Sequence, residues 1–170
     1  MTFLLHEGAN VNSEDDTNWT PIIISASVGK VEVTTALLSA GGIVNAANKT
    51  GQTPLHYAAS KNHLTVLEQL IGAGGILDTQ DSYGDTPLHR GISKGNVKIV
   101  EELIRAGCSV NIPNNNGDTP MHIACEEGNR DLIQLLVNAG GRVEVKNKDE
   151  KTPLNVASPD VADFVMSLVY

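Results

Sequence analysis

A Thr-Pro dipeptide recurs along this chain of 170 residues at a spacing that never changes. Leu-His or a close variant follows the proline in most copies. The threonines are 33 residues apart, at Thr20, Thr53, Thr86, Thr119 and Thr152. Five copies at one spacing predict an array of one small structural unit. A single unit of this size cannot bury its own apolar face, so each unit depends on its neighbours for stability.

Residues 48–80 illustrate the secondary structure that one repeat unit predicts. A polar turn leads to Thr53, a typical N-cap, and to Pro54, which suits the first helical position. A short helix to Ser60 follows, and after a turn the apolar residues over 64–71 recur at helical spacing. Glycines end this second helix. The same plan predicts further second helices near residues 31–40, 97–106 and 131–139.

These units predict an all-α solenoid of helix–turn–helix pairs, from which β-turns project as fingers. We expect a half repeat over residues 1–14 and a C-terminal capping repeat over 147–170, with full repeats over 15–47, 48–80, 81–113 and 114–146. Because the half repeat lacks its first helix, we expect residues 1–12 to fray unless the full gene product is longer.

The composition excludes several classes of partner. The net charge is −8, so the chain lacks the basic face that binds nucleic acid or an anionic membrane. It has no run of 18 apolar residues and no secretory signal at its start. Two cysteines, Cys108 and Cys125, do not make a disulfide framework, and we expect both to be small buried thiols in a reduced, intracellular protein.

The residues give no pattern of catalysis. His56, His89 and His122 share one repeat position, so they line up along the array instead of converging. We expect each imidazole to bond a backbone group or a threonine hydroxyl of the neighbouring turn. No metal-site, phosphate-loop or nucleophile motif is present. We therefore predict no catalytic residue, no cofactor and no metal.

Protein binding is the function that remains. The turn residues before each threonine and the residues after each first helix are expected to share one concave side. Their charge is acidic near residues 14–16, basic at the lysines and acidic again at the far end. Trp19 either packs on the next finger or anchors a partner. The candidate contacts are Asp15, Asp16, Trp19, Lys49, Gln52, Ser60, Lys61, Tyr83, Asp85, Lys94, Glu126 and Glu127.

The 33-residue period and the Thr-Pro-Leu-His signature resemble the ankyrin-repeat family over nearly the whole chain. Residues between these anchors resemble one branch of it, the gankyrin family. The clearest stretches are Tyr57-Ala58-Ala59-Ser60-Lys61-Asn62 and Asn147-Lys148-Asp149-Glu150-Lys151-Thr152-Pro153-Leu154.

The closer resemblance implies an assembly chaperone of the 26S proteasome regulatory particle, whose concave face binds the C-terminal domain of a base ATPase subunit. It implies a monomer in cytoplasm and nucleus. Asp16, Trp19, Ser60 and Lys61 match contact positions of that family, and Lys94 matches less well. The family's N-terminal repeats are partly missing here, which predicts weaker affinity.

Other interpretations stay open at this point. The chain is alternatively an ankyrin scaffold or a regulator of a cyclin-dependent kinase, or a truncated product with weakened partner binding. The resembling family also carries a Leu-x-Cys-x-Glu motif tied to the retinoblastoma protein, a cell-cycle regulator. Residues 123–127 resemble that motif, with Ile123 in place of leucine. Since these residues belong to a predicted packed helix, presenting them would require local unfolding.

Overall fold

A computed structural model describes residues 10–169 of the chain. The predicted fraying of residues 1–12 falls mostly on residues 1–9, which lie outside the described residues. Residues 10–169 form ten helices and no strand, which confirms the predicted all-α fold. The helices are α1 (Pro21–Val28), α2 (Val31–Ser39), α3 (Pro54–Ser60), α4 (Leu64–Gly72), α5 (Pro87–Ile92), α6 (Val97–Arg105), α7 (Pro120–Glu126), α8 (Arg130–Asn138), α9 (Pro153–Val156) and α10 (Pro159–Val169).

The helices alternate between two kinds, as the sequence predicts. The first helix of every pair begins at the proline of a Thr-Pro dipeptide, with the threonine in extended backbone before it. A proline suits this position because its missing N–H would have no partner within the helix. The second helices end within a residue or two of the predicted boundaries. The repeat boundaries as such stay a prediction.

The core is one continuous strip between the helices. Small side chains such as Ala58 and Ala59 on α3 are fully buried and let the first helices approach one another closely. A larger apolar residue at one repeat position, Ile22, Leu55, Leu88 or Met121, belongs to the same buried cluster. Cys108 and Cys125 are buried free thiols, as expected, and burial raises their pKa to about 12 and about 11, respectively.

Each buried histidine joins two neighbouring repeats. The Thr53 backbone N–H donates to His56 Nδ1 at 3.1 Å, so Nδ1 accepts and the proton lies on Nε2. His56 Nε2 then donates to the carbonyl oxygen of Asp85, 29 residues ahead, at 3.0 Å. The same bonds recur for His89 and His122. The prediction that these side chains hold the neighbouring turn is confirmed.

The turns before the threonines form a ladder of fingers. We define finger 1 as residues 15–19, finger 2 as 48–52, finger 3 as 81–85, finger 4 as 114–118 and finger 5 as 147–151. One backbone N–H of each later finger donates to the finger before it, at 2.9–3.1 Å. Gly84 in finger 3 has φ +76°, and a Cβ there would lie 2.6 Å from the Asn115 backbone nitrogen. The close approach of two fingers therefore requires glycine at this position.

A second joint follows each second helix. The Asn45 side chain donates to the Gly74 carbonyl at 3.2 Å and accepts from the Ile76 N–H at 2.8 Å. Asn12 and Asn111 make the same pair of bonds. Asp78 occupies this position in the next repeat and accepts from the Ser109 N–H at 3.0 Å. A carboxylate has no proton to donate to the Gly107 carbonyl, so this joint is one bond short.

We expect Asp78→Asn to raise the free energy of unfolding by about 0.5–1.5 kcal/mol, because the new amide supplies the missing bond. The matched reverse change, Asn45→Asp, removes an equivalent bond and is expected to lower the free energy of unfolding by a similar amount. Urea denaturation of both variants measures the two effects. A loss of stability in Asp78→Asn would contradict the assignment of this joint.

The pH dependence of stability is expected to follow from the burial of two histidines. Burial lowers the pKa of His56 and of His89 from the ordinary value of 6.5. Below pH 6.5 the unfolded chain therefore binds more protons than the folded chain. The free energy of unfolding then falls as pH decreases from 6.5 toward the lower pKa values of the folded state.

Denaturation at several pH values above the carboxylate range tests this expectation. Replacing His56 and His89 by asparagine should flatten the dependence, since Asn155 already accepts the Thr152 N–H in the fifth repeat at 3.0 Å. An unchanged slope in the double variant would show that other groups cause it.

Candidate protein-binding surface

The fingers and the exposed side of the first helices form a surface that carries acidic, basic and aromatic side chains. We call it the finger face: fingers 1–5 together with the solvent-facing residues of α1, α3, α5 and α7 and the two residues after each of these helices. Because the finger ladder fixes each repeat to the next, and the histidine bonds add to it from the second repeat onward, residues 33 apart lie in columns along this face. The twelve predicted contact residues all belong to it.

Six of the predicted residues carry free charges. Their side chains are exposed, and among residues 10–169 none of them takes part in an ion pair or a side-chain hydrogen bond. A charge without a partner inside the protein can pair with a binding partner without breaking an existing contact. The six are Asp16, Lys49, Lys61, Lys94, Glu126 and Glu127.

Asp15 differs from its neighbour Asp16 because it is engaged in its own finger. Its carboxylate accepts from the Trp19 N–H at 2.9 Å and from the Thr17 N–H and hydroxyl at 2.8 Å. These bonds lower the pKa of Asp15, with the Trp19 N–H the largest cause. The asparagine or aspartate that begins every later finger makes the same backbone bonds. Asp15 therefore shapes the finger, although it remains exposed.

Trp19 packs against the next helical pair. Its ring is half-buried and lies 4.7 Å from the ring of Tyr57 on α3, at an interplanar angle of 49°. The Tyr57 hydroxyl donates to Gln52 Oε1 at 2.7 Å and accepts from Asn48 Nδ2 at 2.9 Å. The sequence predicted that Trp19 either packs on the next finger or anchors a partner. The structure confirms that Trp19 packs within the protein, but it packs against helix α3 and not against the next finger.

An open concavity of about 370 Å³ adjoins the Trp19–Tyr57 pair. Fingers 1 and 2 form its sides, so the half-buried ring of Trp19 also faces space that a partner can fill. The lining residues are Thr17, Trp19, Asn48, Lys49, Thr50, Gln52 and Tyr57.

A charged cluster occupies the corresponding place one repeat further on. Arg90 pairs with Asp81, whose side chain is fully buried, and lies 3.6 Å from a carboxylate oxygen of Asp85. The guanidinium carbon is 5.5 Å from the centre of the Tyr83 ring, within cation–π range. Burial acts to raise the pKa of Asp81, but the bonds from Arg90 and from the backbone N–H groups of Tyr83 and Asp85 outweigh it and lower the pKa.

Fingers 3 and 4 enclose a second concavity of about 270 Å³ beside this cluster, lined by Tyr83, Asp85, Arg90, Asn114, Asn115 and Asn116. The structure thus places predicted residues Tyr83 and Asp85 together and adds Arg90, which the sequence did not single out. Tyr57 was missed in the same way. Tyr57 and Arg90 are 33 residues apart and share a repeat position with Ile24 and Ile123. Comparing that position across the repeats could have identified both residues from the sequence.

The described residues were searched for metal-binding groups, membrane-spanning helices and reactive thiols. Among residues 10–169, no group of three His, Cys, Asp or Glu side chains is arranged to hold a metal ion. No helix in that part of the chain is both long and apolar enough to cross a membrane. The raised pKa of Cys108 and Cys125 keeps both thiols protonated near neutral pH, which makes them poor nucleophiles.

A row of helical pairs, each bonded to the next, with turns projecting along one side, defines a helical repeat protein of the solenoid class. The family model described as "Ankyrin repeats (3 copies)" matches residues 1–81 and 88–169. The chain therefore belongs to the ankyrin-repeat family. A search of curated proteins finds no match. Ankyrin repeats are protein-binding modules, so the finger face belongs to a module whose ligands are proteins.

We expect Arg90→Leu to lower the free energy of unfolding by about 1–3 kcal/mol, because it leaves the buried Asp81 carboxylate without its cation. Arg105→Leu is the matched control, since Arg105 is 74% exposed and its partner Glu102 is on the same helix. The control should change stability little. Urea denaturation measures both, and equal effects of the two variants would contradict a structural role for the Arg90 cluster.

Proposed function

We propose that the finger face binds the C-terminal domain of a base ATPase subunit of the 26S proteasome regulatory particle, and that the chain acts as an assembly chaperone without catalysing a reaction. The observation that carries the proposal is the row of free charges, which changes sign twice along one face. The resemblance of residues 57–62 and 147–154 to the gankyrin family supplies the identity of the partner.

The finger face suits rapid and specific association. Its backbone is held by the finger ladder and by the histidine bonds, so little conformational freedom remains to be lost on binding. Unpaired charges of both signs steer and orient a partner that carries the opposite pattern, which favours association rate and register more than raw affinity. We propose Asp16, Lys61 and Lys94 as the principal charged contacts.

An aromatic anchor complements these charges. Trp19 and Tyr57 form a tilted pair at the edge of the 370 Å³ concavity, and Tyr57 is fixed by two hydrogen bonds. Rigid aromatic groups contribute strongly to protein interfaces because they bury a large area at small entropic cost. We propose that a side chain of the partner enters this concavity and packs on Trp19.

The rest of the proposal concerns where and how the protein acts. We propose that it acts in cytoplasm and nucleus as a monomer that uses no cofactor and binds neither nucleic acid nor membrane. The net charge of −8 supports this, since a nucleic-acid or membrane surface would repel the chain.

Reversing the charge at two contacts tests the proposal. Asp16→Lys combined with Lys61→Glu leaves the net charge unchanged, and neither side chain holds the fold through a hydrogen bond among the described residues. We expect the double variant to lose binding to the purified ATPase C-terminal domain by at least about tenfold, while its circular dichroism matches that of the unaltered chain. Isothermal titration calorimetry measures the binding.

The matched control is Lys98→Glu combined with Glu101→Lys, which makes the same two reversals on α6, outside the finger face. This control should bind as the unaltered chain does. Equal binding by the control and the Asp16/Lys61 variant would refute the finger face as the contact surface. Association with a cyclin-dependent kinase but with no ATPase domain would favour the kinase-directed alternative. Absence of both would favour a truncated product.

A further inference from the structure

Finger 4 contains the one Asn-Gly pair of this sequence, Asn116-Gly117. The fourth residue of every finger has positive φ, and glycine fills this place in fingers 2–4. In finger 4 a Cβ on Gly117 would lie 2.9 Å from the Lys148 backbone nitrogen, so the contact with finger 5 requires glycine. The residue before the glycine is Thr50 in finger 2 and Tyr83 in finger 3, but an asparagine in finger 4. Finger 4 therefore places a side-chain amide directly before a backbone nitrogen that no side chain shields.

The Asn116 side chain is exposed and free to turn. Among residues 10–169 its carboxamide makes no hydrogen bond, although its backbone N–H bonds to Asn114. Asn12 also precedes a small residue, but its carboxamide donates to the Gly41 carbonyl at 3.1 Å and accepts from the Ile43 N–H at 2.8 Å. An unbonded carboxamide can bring its Cγ carbon against the backbone nitrogen of the next residue, and such proximity favours an intramolecular reaction.

The folded finger restrains the backbone of this pair. The Gly117 N–H donates to the Asn114 carbonyl at 2.9 Å. The Asn116 carbonyl accepts from the Lys148 N–H at 2.9 Å. Asn114 Oδ1 also accepts from the backbone N–H groups of Asn116 and Asp118, both at 3.0 Å. A backbone nitrogen must lose its proton to attack a carbonyl carbon, and a bonded N–H loses its proton less readily. Attack on the side-chain amide therefore requires finger 4 to open first.

We propose that Asn116 is a site of spontaneous deamidation, that opening of finger 4 sets its rate, and that the isoaspartate formed there breaks the ladder between fingers 4 and 5. In the open finger the Gly117 nitrogen bonds to Asn116 Cγ and the Cγ–Nδ2 bond breaks. Ammonia leaves with the proton from the Gly117 nitrogen. Water then opens the five-membered imide at either carbonyl, which gives aspartate or isoaspartate. This inference stands independently of the proposed function.

The two products differ in their effect on finger 5. Aspartate adds a negative charge and leaves the backbone unchanged. Isoaspartate routes the backbone through Cβ and Cγ, which lengthens it by one carbon, and the carbonyl that accepts the Lys148 N–H becomes a free carboxylate. The last helical pair, α9 and α10, then keeps the His122 bond to the Lys151 carbonyl at 3.0 Å but loses the ladder bond. Isoaspartate therefore loosens this pair, whereas aspartate does not.

The first experiment follows the conversion of Asn116 over time at mildly alkaline pH. Peptides of the incubated chain are separated by chromatography and identified by mass spectrometry, which together distinguish asparagine, aspartate and isoaspartate. Asn114→Ala removes the two bonds to Oδ1, so it should speed conversion by at least about fivefold, because conversion follows the population of the open finger. Urea should also speed conversion in the unaltered chain, since unfolding opens every finger.

Asn48→Ala is the matched control, because Asn48 Oδ1 accepts from the equivalent N–H groups of Thr50 and Gln52 in finger 2, both at 3.0 Å. This variant should leave the conversion rate of Asn116 within about twofold of that in the unaltered chain. Equal acceleration by both variants, the same rate in urea as in the folded chain, or absence of conversion at Asn116 would overturn the proposal.

A second measurement tests the effect on finger 5. Hydrogen–deuterium exchange in the isoaspartate form should be faster at Lys148 and in α9 and α10 than in the unaltered chain. Asn116→Asp is the control, since it carries the added charge on an ordinary backbone, and its exchange should match that of the unaltered chain. Equal protection in the isoaspartate form and in Asn116→Asp would contradict the loss of the ladder bond.

Discussion

The hydrogen bond from a buried imidazole to the carbonyl of the next finger is the contact on which the rest of the structure depends. His56, His89 and His122 each hold the start of their own helix through Nδ1 and the following repeat through Nε2. Both ring nitrogens are buried, so losing either partner leaves a polar group unsatisfied, at a cost of about 1–3 kcal/mol. In the three repeats that carry it, this histidine therefore holds both the start of its own helix and the finger of the next repeat.

That fixed register gives the finger face its character. Every finger is bonded to the finger before it, and from the second repeat onward a histidine adds a second bond to the next repeat. Side chains one period apart therefore stand next to one another along the face. In this chain the column that contains Ile24 and Ile123 also contains Tyr57 and Arg90, which build an aromatic pair in one repeat and a charged cluster in the next. The scaffold is uniform, and the variation between repeats supplies the specificity of the proposed partner contacts.

The sequence predicted the helices well because periodicity reports directly on which residues face the core. It placed the second helices to within a residue or two, and it predicted that the histidines bond to the neighbouring turns. It did not separate Asp15 from Asp16, since the difference lies in which carboxylate turns inward to the N–H groups of its own finger. The sequence also did not decide whether Trp19 packs within the protein, because its packing depends on the position of the Tyr57 ring. The missing hydrogen bond at Asp78 could be recognised only by comparison with the bonds that Asn45 and Asn111 make in the structure.

The most direct measurement of the binding surface is hydrogen–deuterium exchange of the whole chain with and without the purified ATPase C-terminal domain. Binding at the finger face predicts slower amide exchange in fingers 1–3 and at the C-terminal ends of α3 and α5. The exchange rates of α4 and α6 are expected to stay unchanged. Protection confined to α4 and α6, or no protection at a concentration of the domain that saturates binding, would contradict a partner site on the finger face.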